Sequence, residues 1–302
     1  MIDLRHMRYF IAVAEELHFG RAAEKLYIAQ PPLSQQIKQL EQQIGVQLFV
    51  RNRRRVRLTE AGAIFLEQAR RTIAQAEFAV SAAQSAATGE PGKIDIGFVS
   101  SATYHDAFPT IIRIFRERHP SVLLTLHEFT SAEQVEALRD GGIHLGFVRP
   151  PVGDDTLTLE TVLMEPFVAA LPSTHPLAGS PVISITDLKA DQFVMLPRHL
   201  NLSLYDQIMA ACQNAGFTPQ VAQEAIQLQT ITSLVAAGIG VALVPASLRN
   251  ARRVGLVYKR LIGVAARIEM AAAYRPDHPS PALGLFLNVV REVAGQEESS
   301  LE

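Results

Sequence analysis

The sequence predicts an α/β protein in three parts: a basic head of helices with a small β-hairpin, one long helix, and a two-lobed α/β body. Three observations carry that prediction. Residues 1–58 hold ten Lys and Arg against five acids, a charge of +5, while the rest of the chain carries −7. Residues 59–88 contain no proline and repeat apolar positions at three- and four-residue steps. From Lys93 onward, short apolar runs alternate with amphipathic helical patterns, as in a domain built of strands and covering helices.

Composition excludes several classes. At roughly 100–200 residues per domain, 302 residues make two or three domains, each with a core of its own. A charged fraction of 19% with 48% hydrophobic residues is too apolar for a disordered chain. The single cysteine, Cys212, rules out a disulfide framework and any CxxC motif. The start MIDLRHMRYF lacks signal-peptide organisation, and no apolar run reaches the roughly 18–20 residues of a membrane span. The expectation is a soluble cytoplasmic protein. A net charge of −2 argues against a polyanionic partner only until it is divided, because the basic head alone has the charge for one.

Within the head, Leu4, Met7, Phe10, Ile11, Ala14 and Leu17 form one amphipathic stripe, predicting a first helix over residues 4–17. A turn at residues 18–20 leads to a second helix over 21–27, with Ala22, Ala23 and Leu26 inward. Pro31 and Pro32 suit the first turn of a third helix, where the missing N–H groups would be unpaired anyway. That helix runs over 33–44, buries Leu33, Ile37, Leu40 and Ile44, and turns Ser34, Gln35, Lys38, Gln39 and Gln42 outward. Such amides and hydroxyls match base edges in a major groove, and Lys38 matches the backbone. Residues 47–50 and 55–58 read as two short strands joined by the tip at 51–54. Three helices and a basic wing make a winged helix-turn-helix.

Here the sequence resembles the LysR-type transcriptional regulators. Arg8-Tyr9-Phe10, Phe19-Gly20-Arg21-Ala22-Ala23-Glu24-Lys25-Leu26, Ala29-Gln30-Pro31-Pro32-Leu33-Ser34-Gln35-Gln36-Ile37, Gly45-Val46-Gln47-Leu48-Phe49 and Leu58-Thr59-Glu60-Ala61-Gly62 carry the likeness. It is similar in particular to the branch controlling degradation of aromatic compounds, whose members answer to muconate- or benzoate-like acids. The resemblance implies promoter DNA and a small-molecule effector as partners, self-association into dimers and tetramers, promoter bending and contact with RNA polymerase. It implies no cofactor. Gln30, Pro31, Ser34, Gln35 and Lys38 would then face bases and nearby phosphates, and Arg51, Arg53 and Arg54 would hold the backbone from the wing. Gln35 stands where some relatives carry Arg, which shifts the preferred half-site.

Thr59 is placed to cap the long helix, and Glu60 sits in its first turn, where negative charge is favoured. Leu66, Ala69, Ile73, Ala76, Val80, Ala83 and Ala87 make about three heptads, and the resemblance implies a dimerisation helix over residues 59–88. Thr88-Gly89-Glu90-Pro91-Gly92 reads as a linker to the body, residues 89–302.

The body reads as strand 94–99, helix 108–118, strand 122–127, helix 132–140 and strand 145–148, with mostly parallel strands. Residues 165–171 form a strand leaving that unit for a second alternation, and 268–274 with the helix 282–293 return to it. Two lobes, about 93–164 with 266–296 and about 165–265, enclose a cleft, the natural ligand site. The resemblance implies a periplasmic-binding-protein-like effector domain. Ser100 and Ser101 follow a buried strand and open a helix, a place suited to an anion. Ser131 and Arg149 hold equivalent places after the next two strands, and the resemblance puts Ser101, Ser131 and Arg149 around a carboxylate. From the second lobe it adds Leu202 and Leu204, where the aromatic-acid responders carry Pro and an aromatic. Gln229 and Thr230, opening the helix before Gly238, are further candidates.

Nothing in the sequence points to catalysis or a metal: there is no HExxH, GxSxG, P-loop or dinucleotide fingerprint, and the nine His are scattered. The reading is a ligand-switched DNA-binding regulator. The alternatives are a regulator that needs no ligand and a solute-binding protein, the latter having no use for a winged helix.

Overall fold

The structure, a computed structural model, describes all residues except Met1, Arg53, Arg54, residues 89–91, Leu200, Asn201, His278, Pro279 and residues 300–302. The chain divides into two compact units, Met1–Gly92 with Ala137–Gly142, and Lys93–Glu136 with Ile143–Glu302.

In the first unit, helices α1 (Leu4–Glu16), α2 (Phe19–Lys25) and α3 (Gln30–Ile44) precede a hairpin of β1 (Phe49–Asn52) and β2 (Arg55–Leu58), then α4 (Glu60–Thr88). Asp3 caps α1 by accepting from the His6 backbone N–H at 2.9 Å, and His18 caps α2 by accepting from Gly20 and Arg21. Helix α3 starts earlier than the apolar pattern indicates, because Pro31 and Pro32 occupy its first turn. Gly45 ends it at φ +83°, a left-handed conformation that glycine adopts without steric cost. Phe10, Val13, Ala22, Leu33, Ile37, Leu40 and Phe49 form the core, with Phe10 tilted against Phe49 (ring centres 5.1 Å apart) and edge-to-face with Phe65 (5.0 Å). One oxygen of Glu41 accepts from the backbone N–H groups of both Leu48 and Phe49, at 3.0 and 3.1 Å, fastening the hairpin to α3.

Helix α4 spans 29 residues, about 40 Å of rise. Its first turns pack on the head through Ala69, Phe65 and Leu66, and Arg70 pairs with Glu15 of α1 at 3.2 Å. Further along, Val80 and Ala83 of the heptad stripe are exposed.

The second unit contains β3 (Lys93–Phe98), α5 (Ala107–Arg118), β4 (Leu123–Glu128), α6 (Ser131–Arg139), β5 (Leu145–Val148), β6 (Thr158–Pro172), β7 (Val182–Ser184), β8 (Gln192–Met195), α7 (Leu202–Asn214), β9 (Gln220–Glu224), α8 (Leu228–Ala236), β10 (Ala242–Pro245), β11 (Leu256–Ile262), β12 (Arg267–Tyr274) and α9 (Pro281–Ser299). Strands run β4-β3-β5-β12-β6-β11-β7, with β10 also on β6, and β8-β9 form a separate parallel pair. Strands β3, β4 and β5 are mutually parallel; β12 runs against β5, and β6 runs against β12, so the sheet is mixed where the sequence predicted mostly parallel strands. Two hydrophobic cores result. One gathers Ile94, Ile96, Phe115, Phe147, Met270 and Phe286 under α5 and α9; the other gathers Phe167–Leu171, Phe193, Leu204, Ile208, Cys212, Val235 and Val244.

Strand β6 belongs to both. Its first half pairs with β12 as far as Pro166, and its second half pairs with β10 from Phe167 and with β11. The sequence reading began this strand at residue 165; Thr158–Met164 extend it because the polar-alternating stretch has β12 as a partner.

Candidate functional site

Two places on the chain combine exposed polar chemistry with a supporting frame. The first is the outer face of α3. Leu33, Ile37 and Leu40 are fully buried, and at helical spacing this turns Gln35, Lys38 and Gln39 to solvent, with Ser34 half-buried. Gln30 and Pro31 are exposed at the helix start, where Ala29 offers no side-chain cap and Pro31 and Pro32, lacking N–H groups, need none. Among the described residues Lys38 makes no ion pair, whereas Lys25 and Arg21 on α2 are held by Glu15 and Glu16. Beside this face, Tyr27 lies at φ +55° and is 96% exposed, an aromatic ring on the turn that introduces α3. In the hairpin, the Arg51 backbone lies in β1 opposite Val56 while its side chain is outside the described residues, as are Arg53 and Arg54.

The second place is a cavity of about 580 Å³ in the body, enclosed by the carboxyl ends of strands, where the topology of open α/β sheets puts ligands. Ser100 and Ser101 follow β3, Thr130 and Ser131 follow β4, and Arg149 to Gly153 follow β5. Leu196 and His199 follow β8, Ile226 and Gln227 follow β9, and Leu228 and Ser203 come from the openings of α8 and α7. The Ser131 hydroxyl accepts from the Arg149 backbone N–H at 3.1 Å. Beneath it Gln134, fully buried, donates to the carbonyls of Phe147 (3.1 Å) and Phe129 (3.3 Å), bracing two of the strand ends that form the cavity. Room for that amide comes from Gly146, where a Cβ would lie 2.6 Å from Gln134 Oε1. The Ser203 hydroxyl donates to the Pro150 carbonyl, and Gln207 donates to Ser203 at 3.1 Å, so α7 is tied to the loop after β5.

Arg149 is 5% exposed and its partner Glu165 4%. The guanidinium donates to Glu165 Oε1 at 3.0 Å, to the Glu269 carbonyl at 3.3 Å and to Ser101 Oγ at 3.5 Å. The other oxygen of Glu165 accepts from the Ser247 backbone N–H at 2.8 Å. Burial pulls the arginine's pKa below its ordinary value and Glu165 counteracts this; a guanidinium remains charged at neutral pH regardless. Among the described residues no group of His, Cys, Asp and Glu is arranged to hold a metal, and no helix is long and apolar enough to cross a membrane.

Comparison with known proteins identifies the parts of the chain that carry both places. Residues 4–63 match the bacterial regulatory helix-turn-helix protein, lysR family, and residues 87–295 match the LysR substrate binding domain. The chain belongs to the LysR family. It is a LysR-family DNA-binding transcriptional regulator with the family's effector-binding domain. Among its relatives are the HTH-type transcriptional regulator AlsR of Bacillus subtilis (strain 168), 42% identical over 95% of both chains, and CatR of Pseudomonas putida, 38% identical over 97% of this chain and all of that one. The fold matches the crystal structure of CbnR, a LysR family transcriptional regulator, with a TM-score of 0.80 at 28% identity over 97% of this chain and 99% of that one. CbnR in complex with its target DNA matches with a TM-score of 0.78, at 28% identity over 97% of this chain and 100% of that one.

In this LysR regulator, Ser100, Ser101, Ser131 and Arg149 come together at the cavity. Three other expected residues, Leu204, Gln229 and Thr230, do not. Leu204 is 4% exposed and lies in the second core, because α7 turns that position toward Ile208 and away from the cavity. The Leu202 side chain is outside the described residues. Gln229 and Thr230 are exposed and do not reach the cavity; α8 begins at Leu228, so it is Gln227 and Leu228, just at the helix opening, that line it. Arg149 is paired within the protein, since Glu165 already neutralises it. Gln227, Thr130 and Ser203 were missed. Thr130 carried a signal, as the residue just outside the Ser131 helix, and its hydroxyl caps that helix by accepting from the Glu133 N–H.

Proposed function

We propose that this LysR regulator binds promoter DNA through α3 and the wing, and that a small acidic effector, aromatic or dicarboxylic, occupies the cavity and switches that binding. Gln30, Pro31, Ser34, Gln35 and Lys38 face bases and adjacent phosphates, and Arg51, Arg53 and Arg54 hold the backbone. The exposed Val80 and Ala83 of α4 mark the seam of a dimer, and pairs of dimers bend the promoter and alter RNA polymerase recruitment in the cytoplasm. The observation that carries the effector reading is the convergence of three serines and Arg149 on strand ends around one cavity. The effector acts only by binding one arrangement of the protein better than another.

Selecting duplexes from a random pool and then titrating salt tests the DNA reading. Lys38→Ala weakens binding to every sequence and lowers the salt slope by about 1, whereas Gln35→Ala changes the preferred sequence. Equal losses on all sequences for both variants contradict the division of roles. A thermal-shift screen of aromatic and dicarboxylic acids on the full chain tests the cavity, since a ligand of the native state raises its melting temperature. The Arg149–Glu165 pair favours a second reading, a regulator whose cavity carries its own carboxylate and needs no ligand; a screen with no response supports that one.

A further inference from the structure

The effector reading leaves open what its two ends are, and the charges around the cavity discriminate. Arg149 is the one cation among the described lining residues, and Glu165 compensates it. Arg198, beside His199, does not line the cavity and is held by Asp206 at 2.9 and 3.2 Å. Two carboxylates do line it. Glu133 accepts from the Thr130 backbone N–H at 2.7 Å as a helix cap. Glu128 is the exposed last residue of β4, and its side-chain carboxylate has no hydrogen bond or ion pair among the described residues. Burial pushes the Tyr104 phenol upward in pKa and the charge of Glu128 adds to it, while Arg253 acts in the opposite direction without lining the cavity.

Register fixes where Glu128 stands relative to the serine seat. Glu128 pairs with Phe98 on one side of β3, and Phe98 pairs with Phe147, two residues before Arg149, on the other. Two strand spacings, roughly 10 Å, separate the strands that end in Glu128 and Arg149. A short acid seated with its carboxylate at Ser101, Ser131 and Arg149 therefore extends toward a free carboxylate.

Resting on the acidic-effector reading, we infer that the ligand is a monocarboxylic acid whose far end carries hydrogen-bond donors, an ammonium or a hydroxyl, and that Glu128 is the residue selecting that end. A second carboxylate on the ligand would meet Glu128 and Glu133 with no Lys or Arg among the described lining residues free to pair with it, and like charges brought together out of bulk water repel strongly. An ammonium or hydroxyl at the same place gains an acceptor.

Two matched sets of probes test this on the full-length protein by thermal shift: adipate, hexanoate and 6-aminohexanoate, and terephthalate, benzoate and 4-(aminomethyl)benzoate. In the set that fits the cavity, the amino acid is expected to stabilise at concentrations at least tenfold below the dicarboxylate. Glu128→Gln is expected to bring the two within about threefold, and Glu128→Lys to reverse the order; the unliganded melting temperatures of the variants control for folding. A dicarboxylate that binds the wild-type protein as well as its amino counterpart overturns the inference, as does a preference that neither substitution moves, and both results leave the acidic-effector reading intact. Failure of all six probes to raise the melting temperature overturns that underlying reading together with the inference.

Discussion

Arg149 shows how a residue's neighbour changes what its substitution tests. Replacing it with Ala leaves Glu165 buried and uncompensated, a situation that costs about 3–5 kcal/mol. Arg149→Ala is therefore expected to lower the stability of the body by that amount in urea unfolding, and Glu165→Ala in the same chain to recover part of it. A stability within 1 kcal/mol of wild type would contradict the pairing. Loss of effector response in the single variant is thus not a measure of ligand contact; Ser101→Ala and Ser131→Ala are the cleaner probes. Cys212 gives a second residue-level prediction. It is fully buried in the second core, and burial pushes its thiol up to about 11, so the reactive thiolate is scarce at neutral pH. A disulfide reagent at pH 7.5 should leave it untouched in the native protein and label it stoichiometrically once urea unfolds that core; rapid labelling without denaturant would refute the burial. The sequence made the cysteine's burial legible, since Cys212 sits among Met209, Ala210 and Ala211. It did not reveal Glu165 as the partner of Arg149, because Arg149 follows β5 and Glu165 lies in β6, and the two meet only through the sheet order.

At the level of elements, punctuation and periodicity made the head readable. Pro31 and Pro32 opened α3, Gly45 closed it, and the apolar steps fixed which face turned outward. What those signals lacked was the fastening between elements. Glu41, an ordinary acid in the sequence, accepts from two N–H groups of the hairpin. Glu41→Ala leaves two donors without that acceptor and is expected to cost about 1–3 kcal/mol in the head and to weaken binding to all DNA sequences alike, measured by unfolding and by anisotropy. A sequence-selective loss would place Glu41 at the bases instead. In the body, the serines were legible because each follows an apolar run and precedes a helical pattern. Leu204, Gln229 and Thr230 were misplaced because a helix opening can begin a residue or two away from where its pattern begins, and a shift of that size turns a side chain from cavity to core or solvent. Strand β11 escaped notice for a related reason: Lys259 and Arg260 interrupt its apolar alternation.

For the whole molecule, charge explains what the total conceals. A head of +5 on a remainder of −7 confines affinity for phosphates to the part that carries α3. The two lobes invite a picture of halves that come apart separately, and β6 denies it. One 15-residue strand supplies Val162 and Leu163 to the first core and Phe167–Leu171 to the second, and Glu165, between them, is bonded to Arg149 on one side and to Ser247 on the other. Neither half can melt and leave the other its sheet. The body is thus expected to lose structure in one calorimetric step, with Cys212 exposure and the loss of sheet signal coinciding in urea; two separated steps would contradict this. Strand β12 repeats the device, giving Ile268 to the second core and Met270 and Ala272 to the first, so the halves hang on shared beams and fail together.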